Sequence, residues 1–244
     1  MFIARSRRLR TVRSMRPIAL VAAVVAVLVA GCGSSHQAAP TYQGFSARVT
    51  NPWFPLRVGS VYRYVGVKDG EPTHEVMTVT HLTRVIDGAR CVAVWDLLFV
   101  RGRLEERTTD YYTQDARGNV WYFGEQTAEL DARGGVKDTS GSWMAGVRGG
   151  RPGIFMFAHP RPGLSARQEY LKGEADDHFG VLSMREAVSV PYGSFRGAML
   201  TKEWTPLEPG VLDHKYYVRG IGTVLENTVK GGVERNELVS FRRG

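Results

Sequence analysis

Cysteine is almost absent from this chain: Cys32 and Cys91 are the only two in 244 residues. One disulfide at most is open to it, and none if either thiol is otherwise engaged, so a core must hold the fold. No window of eleven or more residues carries an apolar period of 3.6, which argues against a helical protein. Recognisable catalytic patterns are missing too: there is no G-x-S-x-G elbow, S-x-x-K, H-E-x-x-H or glycine-rich phosphate loop. "RGGRPG" at Arg148 to Gly153 is rich in glycine, but no strand-to-helix transition surrounds it. The apolar run Ile18 to Ala30 has 13 residues, too few for a membrane span, which needs roughly 20.

What that run does have is the setting of an export signal. Arg5, Arg7, Arg8, Arg10, Arg13 and Arg16 precede it without one acidic residue, and a basic stretch followed by a short apolar one directs secretion. "SRRLR" partly resembles a twin-arginine signal, lacking the apolar residues that follow the pair, and Met15 offers a second start. Val29-Ala30-Gly31-Cys32 then matches the pattern at which bacterial lipoproteins are acylated and cleaved. Residues 1–31 are read as a lipoprotein signal peptide, Cys32 as the lipid attachment site, 32–50 as a flexible polar tether, and 51–244 as a single extracytoplasmic domain. Two or more acyl chains suffice for stable anchoring, at roughly 0.8 kcal/mol per buried CH₂.

Processing at Cys32 removes most of the apparent charge. The full chain carries 32 basic and 24 acidic residues, net +8. Taking away the six signal arginines leaves 26 against 24, or +2. A nucleic-acid partner, which a strongly basic chain would suggest, loses its support. Cys91, in the apolar stretch "CVAVWDLLFV", reads as a small buried hydrophobe.

The mature chain reads as strand, turn, strand. "VYRYVGV", "HEVMTVTHLTRVI", "RCVAVWDLLFV", "LEERTTDYYTQ" and "VWYFGE" are separated by short turns rich in Gly, Asp and Asn, as antiparallel neighbours require. In "LDHKYYVR", Leu212, His214, Tyr216 and Val218 share one face and Asp213, Lys215, Tyr217 and Arg219 the other. That alternation marks a half-buried strand, and the apolar set is expected to face inward, with His214 a satisfied core residue. "RCVAVWDLLFV", apolar on both faces, is expected to be central. "SARQEYLKGEADD", Ser165 to Asp177, is the best helical candidate, weakened by Gly173. Arg133 to Gly163, dense in Gly and Pro yet carrying Trp143, Phe155, Met156 and Phe157, reads as one long packed loop. The fold class expected is mostly β: a single antiparallel meander sheet, strongly curved or closed as a barrel.

"FPLRVGSVYRYVG", "GNVWYFGE" and "VPYGSFRGAMLTKEWTPLEPGVLDHKYYVRGIGTVLE" resemble a family of uncharacterised, mostly actinobacterial secreted or lipid-anchored proteins, over roughly Asn51 to Phe241. The resemblance implies an envelope location and a β-rich fold. It implies no activity and no functional residue.

Three sets of residues are candidates for chemistry. Glu174, Asp176, Asp177 and His178 gather donors suited to a divalent cation, although their spacing also suits a solvated acidic turn. Asp96, alone in an apolar strand, needs a partner or a proton; Arg107 or Arg90 is the expected partner, and a catalytic acid is the alternative. Trp121, Phe123, Trp143, Phe155, Phe157 and Trp204 could line an apolar cavity or simply fill the core. His74, His81 and His159 stand singly. The expectation is a lipoprotein held at the outer face of the cell membrane, acting as a binding or carrier-type module for an apolar small molecule or an envelope protein. The alternatives are an envelope hydrolase using Asp96 or the Glu174 to His178 cluster, and a pocketless interaction protein. No cofactor is expected.

Overall fold

A computed structural model describes residues 42–244; the export signal, Cys32 and the first part of the tether lie outside them. Among the described residues there are fifteen strands and no helix. All strand pairs are antiparallel and belong to one sheet, as expected from the turn chemistry. The first hairpins join β1 (Val61–Lys68), β2 (Glu71–Ile86), β3 (Ala89–Val100) and β4 (Arg103–Gln114). Their two-residue turns, Asp69-Gly70, Asp87-Gly88 and Arg101-Gly102, all have positive φ at both positions. That is the turn geometry whose twist matches the flanking strands. β5 (Val120–Leu130) continues the meander, and β8 (Arg151–Met156) pairs with its outer side.

The second half repeats the scheme with β11 (His178–Val190), β12 (Gly193–Trp204), β13 (Leu212–Val218), β14 (Gly222–Lys230) and β15 (Glu234–Arg242). β1 pairs with β15, which joins the two halves into a continuous ribbon. β3 lies between β2 and β4 as expected.

The ribbon is strongly curved, and a single residue links its two ends. β9 (Ser165–Arg167) pairs with β11 at one end, and β10 (Glu169–Tyr170) pairs with β8 at the other. Only Gln168 separates β9 from β10. No hydrogen-bonded ladder runs all the way round. The chain itself spans the gap, and Gln168 is the spanning residue.

Three expectations are corrected. The stretch Ser165 to Asp177 forms β9, β10 and a turn closed by the Leu171–Ala175 bridge, because its successive segments pair with two different sheet edges. Arg133 to Gly163 is not one loop: it contains β6 (Val136–Asp138), β7 (Trp143–Met144) and β8, all paired with β5. The domain also begins before Asn51. Ser46 bridges Gln114, Val49 is 1% exposed, and the rings of Tyr42 and Phe45 lie against Phe123 at 4.9 and 5.9 Å.

That N-terminal segment explains where the aromatic residues go. Trp121 and Phe123 pack with Phe45 on one side of β5, while Tyr122 stacks with Tyr112 and meets Trp143 on the other. A bulge in β5 at Phe123, opposite Tyr111 and Tyr112, then shifts the alternation by one residue. Tyr122 and Glu125 consequently face the same side, the concave interior. Bulges re-aim side chains in this way beside functional sites.

Candidate functional site

On β13 the expected inward and outward faces are exchanged. Asp213, Lys215 and Tyr217 are buried, whereas Leu212, His214, Tyr216 and Val218 are only half-buried. The charged face turns inward because the interior opposite it is acidic. Lys215 Nζ lies 2.8 Å from Glu203 Oε2 on β12 and 3.5 Å from Glu226 Oε1 on β14. Tyr217 donates its hydroxyl to Glu203 Oε1 at 3.1 Å, and Thr201 donates to the same oxygen at 3.2 Å. Burial opposes the charge on Lys215, but Glu203 and Glu226 outweigh it and hold the ammonium well above the usual lysine range. Glu226 is raised by burial to about 7, with Lys215 pulling against the shift.

The polar interior continues strand by strand round the ribbon. Glu226 is opposite Asn236 on β15, and Asn236 donates its amide to Glu75 on β2. Glu75 faces Asp96 on β3, and burial raises both carboxyls, the like charge of Asp96 adding to the shift at Glu75. On β4, Asp110 accepts a hydrogen bond of 2.7 Å from Tyr122 and is raised by burial to about 7; Glu106 is raised by burial to about 8. Asp110 is opposite Glu125 on β5. Glu125 and Glu169 of β10 are both pushed well above the carboxylate range, first by burial and then by neighbouring acids, Asp110 for the former and Asp177 for the latter. A belt of carboxyl groups thus follows the concave face, with one buried lysine.

Where the two ends of the ribbon meet, this belt opens into a cavity of about 110 Å³. Its walls come from β5 and β10 on one side and from β12, β13 and β14 on the other. Six strands separate β5 from β13 along the sheet, so only curvature brings Glu125 and Lys215 to one space. Ten of the lining residues are Asp or Glu, and Lys215 is the only Lys or Arg among them. At its floor, Glu125 Oε2, Glu169 Oε2 and both polar atoms of the Gln168 side chain are buried without a hydrogen-bond partner. Gln168 is 1% exposed. Buried polar groups left unpaired cost roughly 1 to 3 kcal/mol each, and several facing one cavity mark a place where an occupant would supply the partners. Ser140 and Asp138 stand exposed at its rim.

The residues singled out from the sequence divide between this site and the core. Trp204 lines the cavity and stacks on His178 at 5.4 Å. Phe123, Trp143 and Phe155 are buried, and Trp121 and Phe157 pack partly buried against the same core. These five rings contact other rings on both sides of the sheet and do not line the acidic cavity. Of the Glu174 to His178 group, Glu174, Asp177 and His178 line the cavity, whereas Asp176 turns away to ion-pair with Arg167 at 2.8 Å and His178 at 2.8 Å. Among the described residues no group of three or more His, Cys, Asp or Glu is arranged to hold a metal ion. Asp96 is buried as expected, but its neighbour is the carboxyl of Glu75; Arg90 and Arg107 are exposed. Asp96 does not line the cavity. Cys91 is fully buried, with its thiol pushed up by burial to about 12, which leaves it without nucleophilic character.

Glu125, Gln168, Glu169, Glu203, Lys215 and Glu226 were not legible as a site. The signal lay in β13, where Asp213 and Lys215 alternate with apolar residues and no position shows which face is inside.

No family model and no curated protein matches the chain, so the resemblance to actinobacterial proteins gains no further support. Two solved structures are similar to it. One is a candidate exported protein with a YmcC-like fold from Bacteroides fragilis, 16% identical, with a TM-score of 0.45 and covering 78% of this chain and 99% of its own. The other is a candidate lipoprotein from Parabacteroides distasonis, 10% identical, with a TM-score of 0.42 over 79% of this chain and 99% of its own. The functional reading therefore rests on the residues of this chain.

Proposed function

We propose that this protein is a lipid-anchored, extracytoplasmic binding module whose ligand occupies the carboxylate-lined cavity between the two ends of the ribbon. The observation that carries the reading is the set of unpartnered buried polar atoms on Gln168, Glu125 and Glu169, three residues that line that space. The anchor is supported by Val29-Ala30-Gly31-Cys32 behind a basic and apolar leader. A polar ligand replaces the apolar one suggested by the aromatic content, because the rings are consumed in packing.

The test is native mass spectrometry of the full chain extracted from its own membranes. A bound small molecule, absent from a Ser140→Trp variant that plugs the exposed rim, is the expected result. A wild-type protein that, like the plugged variant, carries no mass beyond its own chain and anchor would overturn the cavity as the functional site. Separately, Cys32→Ala should move the protein from the membrane to the soluble fraction; retention in the membrane would refute the anchor.

A further inference from the structure

The wall chemistry of the cavity specifies more than polarity. Lys215 is the one lysine or arginine in the lining, and it is already engaged by Glu203 and Glu226. Its charge is spent within the protein. Glu125 and Glu169, on the opposite wall, have no such cation; each keeps a buried carboxyl oxygen with no donor. Gln168, next to Glu169 in the chain, adds a side-chain carbonyl and an amide N–H₂ that are likewise without a partner. Unpartnered oxygens on three residues that line one cavity call for an occupant that carries several N–H donors. A primary ammonium group has three donors and no acceptor, so it matches these oxygens in count, and in sign once the two carboxyls have given up their protons.

Size narrows the class. A dry apolar cavity of about 150 Å³ takes a benzene-sized guest, so the volume of about 110 Å³ here suits a short alkyl chain and excludes a sugar dimer or a peptide. A divalent metal is disfavoured by the absence of a converging ligand set among the described residues.

We infer that the cavity binds a small primary-ammonium compound, a short alkyl amine or diamine, with its ammonium seated among Glu125, Gln168 and Glu169. The inference rests on the cavity being the ligand site and adds the ligand's chemistry. Binding requires Glu125 and Glu169 to give up protons as the cation arrives, so proton release accompanies association.

The experiment is isothermal titration calorimetry of the full chain with putrescine and, in parallel, with butanediol, its uncharged counterpart of the same length, at physiological salt. Putrescine should bind saturably and butanediol should not. Repeating the titration in buffers of different ionisation heat should reveal net proton release. Glu125→Gln and Glu169→Gln should each weaken putrescine about tenfold or more, equivalent to roughly 1.4 kcal/mol. Should those buried variants fail to fold, Ser140→Trp at the exposed rim should abolish binding while leaving the melting temperature unchanged. Equal binding of butanediol would overturn the ammonium inference and leave the cavity reading intact. Heat that is unaffected by Ser140→Trp and disappears when ionic strength is doubled would reveal diffuse attraction to surface acids and overturn it as well. Absence of binding by both probes would also overturn it, and the native mass of the extracted protein then decides the cavity reading on its own.

Discussion

Lys215 and Glu203 form an ion pair of 2.8 Å between two side chains that are each more than nine-tenths buried. Such a pair contributes little net stability over an apolar substitute, but removing one partner strands the other charge. Lys215→Met should therefore destabilise the domain by roughly 3 to 5 kcal/mol in a denaturant titration. The double variant Lys215→Met, Glu203→Gln should recover part of that loss, since the uncompensated carboxylate is gone. A single variant as stable as wild type would show that water reaches Glu203 and Glu226 freely.

Gly66 of β1 packs against the main chain of β15 with no room for a side chain. A methyl group there would run into the backbone of Arg235 and come within 3.1 Å of the Asn236 Cα. Both obstacles are main chain and cannot swing aside, so the strands must part. Gly66→Ala should cost roughly 1 to 3 kcal/mol, the usual range for overpacking. It should also pull Asn236 away from Glu75, which shares the interior with it. A fluorescence-monitored urea melt measures the first effect; an unchanged midpoint would mean that the β1 to β15 contact is not held at this distance.

Much of the meander was legible because its turns are chemically explicit. Asp69-Gly70, Asp87-Gly88 and Arg101-Gly102 need residues that tolerate positive φ, and the intervening runs are β-branched and aromatic. The closure was not legible. Ser165 to Tyr170 serves one sheet edge with its first half and the other with its second, and no local periodicity encodes a change of partner. Nor was the polarity of β13, since alternation tells which residues share a face and not which face is inside. The rule that apolar residues point inward fails there because Glu125 and Glu169, brought across the cavity by the curvature of the ribbon, make the interior acidic. Such local contradictions of the pattern are expected where a site has been built.

The N-terminal segment, assigned to the tether by its composition, carries Tyr42, Phe45 and Val49 onto the outer side of β5 and its surroundings. A chain beginning at Asn51 should expose Trp121 and Phe123, whereas one beginning at Thr41 should not. The loss of apolar burial is on the order of 2 kcal/mol or more, so the shorter chain should melt about 5 °C lower. It should also bind a hydrophobic dye that the longer chain ignores. Equal melting temperatures would place the domain boundary back at Asn51.

The carboxyl belt sets the direction of the pH dependence. Glu106 is raised to about 8, and Asp110 and Glu226 to about 7, in each case chiefly by burial. Unfolded, these groups titrate near the ordinary values of about 4. Between those limits the folded state holds more protons than the unfolded state, so raising the pH favours unfolding. The contribution of these carboxyls to stability should be greatest below about pH 4, fall from there through the neutral range and level off above about pH 8. Lys215 does not reverse the trend, because its shift acts only above the ordinary lysine pKa. The melting temperature should therefore drop by at least about 5 °C between pH 5 and pH 8. Glu106→Gln, which removes the highest of the three and keeps its shape, should flatten the upper part of that decline. A melting temperature that rises from pH 5 to pH 8 would mean that these carboxyls are ionised in the folded protein and hydrated in place.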